Sequence, residues 1–151
     1  MRRSLKQPVP DNRSHTVASR VAIKQHPLHP ILVVYPVAAL SLLPLADLLY
    51  LWRGDPFWAQ AAWWLSVLGL AGGVFAALFG IADMFLIRVV RRHVSAWIHF
   101  IAGVMLLALA AASVSLRLPD PVAAIWPWGL LLSGLGLVMV VIVGWLGGNL
   151  T

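Results

Sequence analysis

Four long apolar stretches, at about 28–52, 58–87, 94–116 and 122–146, decide what this chain of 151 residues can fold into. Each exceeds the ~20 residues that a helix needs to cross a ~30 Å hydrocarbon layer. The chain is 61% hydrophobic and 11% charged, whereas a soluble domain carries about 25% charged residues. One small core cannot hide so much apolar surface, so lipid is the expected solvent. In lipid every backbone group must be bonded internally, which leaves helices or closed barrels. The stretches lack the period-2 alternation of barrel strands. The connections, Arg53-Gly54-Asp55-Pro56, 88–93 and 117–121, are short. Short loops between long helices make antiparallel neighbours. The expected fold is all-α, a four-helix transmembrane bundle running up-down-up-down. It forms one membrane domain over 26–151, preceded by a basic flexible tail over 1–25.

The basic residues orient the bundle. Six of the eleven Lys and Arg lie in the tail: Arg2, Arg3, Lys6, Arg13, Arg20 and Lys24. Arg88, Arg91 and Arg92 fall between the second and third stretches, on the same side. Arg53 and Arg117 alone fall on the other. The excess of positive charge puts both termini in the cytoplasm. Trp52, Trp58, Trp126 and Trp128 mark the outer interface, and Trp97 and Trp145 approach the inner one. Arg2-Arg3 lies more than twenty residues ahead of the first apolar stretch, too far for an export signal. The tail reads instead as a cytoplasmic segment drawn to anionic lipid, with no nucleic-acid partner. There are no cysteines, which excludes disulfides, thiolate metal sites and covalent c-type haem.

Helix packing leaves a signal in the second stretch. Gly69, Gly73, Ala76 and Gly80 form a small-residue stripe that includes a G-x-x-x-G pair. Such stripes let helix backbones approach closely, either within the bundle or across a homodimer. Pro36 and Pro44 should kink the first helix.

Ionisable residues are expensive in hydrocarbon and mark candidate sites. Most of those inside this chain gather at the cytoplasmic edge: His26 and His29 in His26-Pro27-Leu28-His29-Pro30, then Asp83, His93 and His99. Pro30 suits a first helical turn, so His29 lies near the start of helix one. Asp83 lies about 6 Å, and His99 about 9 Å, from that end of their helices. His29, Asp83 and His99 therefore form the candidate cluster, with His26 as a fourth member. Three readings stand. Asp83 could accept hydrogen bonds from both histidines and fix helix packing. The group could bind a divalent metal, or its histidines could ligate a b-type haem axially. It could also belong to a proton or quinone pathway. His93 is six residues before His99 and points to another face. Asp47 belongs to the outer interface, with Arg53 or Arg117 as its partner.

These residues carry a resemblance. His26-Pro27-Leu28-His29-Pro30 with Pro36 and Asp47 resembles the opening of the domain of unknown function 2231 family of bacterial predicted inner-membrane proteins. Gly80-Ile81-Ala82-Asp83 resembles its Gly-x-x-Asp, His99 matches its histidine in span three, and Gly144-Trp145-Leu146-Gly147-Gly148-Asn149-Leu150 resembles its closing motif. The resemblance covers about residues 25–151. It implies a four-span protein of the bacterial inner membrane. Fusion of similar proteins to Rieske or cytochrome-like domains implies a link to membrane electron transfer. No nucleophile–base pair, phosphate loop or nucleotide motif is present, so an enzyme is not the leading expectation. That expectation is a membrane protein with a metal- or haem-binding His/Asp cluster in a redox-linked role. The alternatives are a subunit packing into a larger membrane complex, or a small transporter or proton pathway acting as a homodimer.

Overall fold

The computed structural model of the protein describes residues 22–23 and 26–148. The tail expected over 1–25 lies outside the described residues, except that Ala22–Ile23 pairs antiparallel with His26–Pro27. Four helices follow, each long and apolar enough to cross a membrane. Span 1 is Leu28–Arg53, span 2 Pro56–Leu86, span 3 Val94–Arg117 and span 4 Ile125–Gly148. A short helix, Arg88–Arg92, lies between spans 2 and 3. The spans form a ring in which 1 packs on 2, 2 on 3, 3 on 4 and 4 on 1. The chain is thus an all-helical, multi-pass membrane protein.

The turn between spans 1 and 2 shows how local sequence sets this topology. Gly54 takes a left-handed backbone (φ 67°), and its N–H donates to the Tyr50 carbonyl at 2.7 Å. Glycine adopts this helix-ending conformation without a Cβ penalty. Asp55 then accepts the Phe57 N–H at 2.9 Å, and Pro56 opens the next helix. A stop and a start in successive residues reverse the chain.

The kinks follow the prolines unequally. Span 1 is interrupted at Val33, between Leu28–Leu32 and Val34–Arg53. Pro36 has no N–H to offer the Leu32 carbonyl, which loosens the helix there. Pro44 sits inside Val34–Arg53 without interrupting it. Span 4 begins later than hydropathy alone suggests. Trp126 leaves helical geometry (φ −112°, ψ 134°), and regular α-helix runs only over Leu130–Gly148. A residue before proline is pushed out of the α region, and Pro127 has that effect on Trp126.

Side-chain distribution is the reverse of a soluble protein's. Leu42, Leu48, Phe75, Leu78, Ile101, Met105, Val138 and Val141 all face outward. Asp47, Ser66, Ser113, Arg117 and Ser133 are buried. An outward surface so apolar is stable only against lipid. The core is one layer of Leu40, Leu43 and Ala46, Ala59 and Ala62, Leu106 and Ala110, then Ile125 and Val140.

The glycine stripe of span 2 is consumed within this bundle. A Cβ on Gly69 would run into Leu40, and one on Gly73 would come within 2.7 Å of Leu107. The stripe thus seats span 1 on one flank and span 3 on the other. Gly69→Val is expected to lower stability by about 1–3 kcal/mol through overpacking. Thermal unfolding in mild detergent checks this, and an unchanged midpoint would count against the close contact.

Candidate functional site

At the end of the bundle that carries the termini, two histidines meet across it. His29 comes from the start of span 1 and His99 from the second turn of span 3. Their ring centroids are 6.4 Å apart and their planes are nearly perpendicular, at 86°. Each ring nitrogen lies about 1 Å from its centroid. Facing nitrogens are therefore about 4 Å apart at closest, beyond hydrogen-bond reach. The rings meet edge to face without a hydrogen bond between them.

Each ring is positioned from a neighbouring span. His29 Nδ1 is 2.8 Å from the Ala76 carbonyl of span 2. A carbonyl only accepts, so Nδ1 carries the proton and donates it. In the neutral ring Nε2 then keeps its lone pair. Gly80, one turn further along span 2, leaves room for the same ring, since a Cβ there would be 2.9 Å from Nδ1. Span 4 does the equivalent for His99. A Cβ on Gly147 would be 3.1 Å from His99 Cε1. His99 Nδ1 is buried and makes no hydrogen bond. Buried polar atoms are rarely left unpaired, and such orphans point to a ligand, ion or water.

The other expected members are placed differently. Asp83 is half-buried on span 2, three residues beyond Gly80 and so on the same helical face. The side chain of His26 lies outside the described residues. His93 is exposed at the N-cap of span 3, apart from the pair as its spacing predicts. Among the described residues no group of three or more His, Asp or Glu is placed to hold a metal ion. Among the described residues, His29 and His99 come together as a pair. His29 gives its Nδ1 proton to a backbone carbonyl.

A second polar centre lies at the opposite end. Arg117 of span 3 and Asp47 of span 1 form an ion pair, Nη2 to Oδ2 at 2.8 Å, with both side chains fully buried. Nη2 also donates to the Gly129 carbonyl at 3.1 Å, and Nε to Ser113 Oγ at 3.3 Å. Ser133 Oγ donates to Asp47 Oδ2 at 2.6 Å. Gly129 itself must lack a side chain, because a Cβ would come within 2.7 Å of Arg117 Nη1. Of the two partners open to Asp47 in the sequence, Arg117 is the one it takes.

The two centres do not communicate through polar groups on span 3. From His99 to Ser113 is about 21 Å along that helix, and the buried positions between are Ala102, Leu106 and Ala110. Leu106 belongs to the same core cluster as Leu40, Leu43 and Val140. This apolar middle does not favour a continuous proton path through a single chain.

The histidine pair falls within a recognised family pattern. The model of the family described as "Predicted membrane protein (DUF2231)" matches residues 25–151. The chain belongs to the DUF2231 family. No curated protein and no solved structure matches it. In this DUF2231 protein the matched region takes in all four spans, both histidines and the Asp47–Arg117 pair. Ser113, Ser133 and Gly129 are the polar-centre residues that the sequence reading had not singled out. One signal was present: Ser113 and Arg117 are four apart on one helical face, as are Gly129 and Ser133.

Proposed function

We propose that this DUF2231 protein is a membrane electron carrier in which His29 and His99 would hold a b-type haem. The separation of the rings carries the reading. A metal–imidazole bond is about 2 Å, so two imidazoles on one metal would have ring centroids about 5–6 Å apart. The observed 6.4 Å is close to that separation. Haem iron needs only these two protein ligands, in keeping with a pair rather than a trio. The Nδ1 donation of His29 to Ala76 supports the same role, because ligating histidines characteristically donate their second N–H to a carbonyl. Bound there, the haem would supply one-electron transfer. The chain's own contribution is to hold the two imidazoles in register from spans 1 and 3. In this reading Asp83 and His26 are not ligands.

The test is an absorption spectrum of the full chain, purified in mild detergent from haem-replete cells, with haem and metals assayed. One haem per chain, with the Soret and α bands of a six-coordinate low-spin iron, is the expected result. A stoichiometric divalent metal without haem would overturn the haem reading in favour of a site that includes Asp83. Absence of both would remove the cofactor reading. The orientation proposed alongside it has both termini in the cytoplasm. A C-terminal reporter active only outside the cytoplasm would reverse it.

A further inference from the structure

The short helix Arg88–Arg92 carries a feature that the histidine pair does not use. Arg88, Arg91 and Arg92 are all exposed. Their spacing, i, i+3 and i+4, puts them on one helical face. Like charges so placed repel one another and disfavour a helix this short unless something negative covers them. Exposed apolar residues bracket the helix in sequence: Phe85 and Leu86 end span 2, and Val94, Trp97 and Ile98 begin span 3. The guanidinium groups therefore stand where apolar surface gives way to the polar layer of a bilayer. The helix is also tethered, since the Trp97 indole N–H donates to the Arg91 carbonyl at 2.9 Å. Charge is partitioned in the same sense among the described residues. Arg88, Arg91 and Arg92 with Asp83 lie at this end; Arg53 and Arg117 with Asp47, Asp55 and Asp120 lie at the other.

We propose that Arg88, Arg91 and Arg92 form a binding site for the phosphate headgroup of an anionic phospholipid, best matched by a diphosphatidyl lipid whose two phosphates can share three guanidinium groups. Arginine suits this role because its planar fork meets phosphate oxygens in pairs. The acyl chains of such a lipid would lie against the exposed apolar residues beside the helix.

Native mass spectrometry of the detergent-purified full chain tests this, with cardiolipin, phosphatidylglycerol and phosphatidylcholine added in turn. The wild type is expected to retain cardiolipin over phosphatidylcholine by at least about tenfold, as three juxtamembrane cations should produce. R88Q/R91Q/R92Q should lose most of that preference, while R88K/R91K/R92K, which keeps the charge, should retain much of it. A variant with Arg2, Arg3, Lys6, Arg13, Arg20 and Lys24 all changed to Gln should keep the preference. No preference in the wild type, an unchanged preference in the triple Gln variant, or its loss with the tail charges instead would each overturn the proposal.

Discussion

Arg117→Met is expected to be the most damaging single substitution in the bundle, lowering stability by roughly 3–5 kcal/mol. The cause is what it leaves behind. Asp47 is fully buried, and its Oδ2 takes both the Arg117 guanidinium and the Ser133 hydroxyl. Without Arg117 a carboxylate remains among helices with no countercharge, and the Gly129 carbonyl loses its donor. Removing both charges should cost far less, because a buried pair can be replaced by apolar side chains of similar volume at little loss. Asp47→Leu/Arg117→Met is therefore expected to unfold closer to wild type than Arg117→Met alone. Thermal unfolding of the three proteins in one detergent decides it. If the double variant is at least as damaged as the single one, the pair is not the reason Arg117 matters. The pair is also incompletely satisfied, since Asp47 Oδ1 and Arg117 Nη1 make no hydrogen bond. That places the single-variant cost toward the lower end of the range.

The second large effect is on the proposed haem. His29→Ala and His99→Ala are each expected to abolish its low-spin spectrum, because each would remove one of the two proposed ligands. Asp83→Asn should leave it intact. The glycines give a graded version of the same test. Gly147→Val would push a side chain onto the His99 ring, which a Cβ alone already approaches to 3.1 Å. Haem content in that variant should fall while the helical content measured by circular dichroism stays the same. Full haem occupancy in either histidine variant would show that the ligand lies elsewhere.

The spans were legible in the sequence because their physics is one-dimensional. Length and apolar content alone bounded spans 1, 2 and 3 to within two residues of their helices. Span 4 runs from Ile125, and its first turn is irregular because Pro127 pushes Trp126 out of helical geometry, an effect to which hydropathy is blind. What stayed hidden was helix rotation. A helix apolar on every side has no hydrophobic face to read, so nothing in the sequence showed whether Asp83 or His99 turned toward His29. Asp47 had two candidate arginines for the same reason. The glycine stripe was the exception, since small residues mark the face where another helix comes close. It pointed to the side of span 2 on which His29 rests, through Gly80. Ser113 and Ser133 escaped notice because an isolated serine in an apolar helix commonly bonds its own backbone, as Ser66 does with the Trp63 carbonyl.

In the proposed function His29 and His99 together would hold one haem iron. Low-temperature electron paramagnetic resonance of the oxidised, purified protein, alongside His99→Ala, tests it most directly. A low-spin ferric signal from two imidazole ligands with nearly perpendicular planes, replaced by high-spin iron or lost in His99→Ala, is the predicted result. A high-spin signal in the wild type, or the same signal in both proteins, would contradict it.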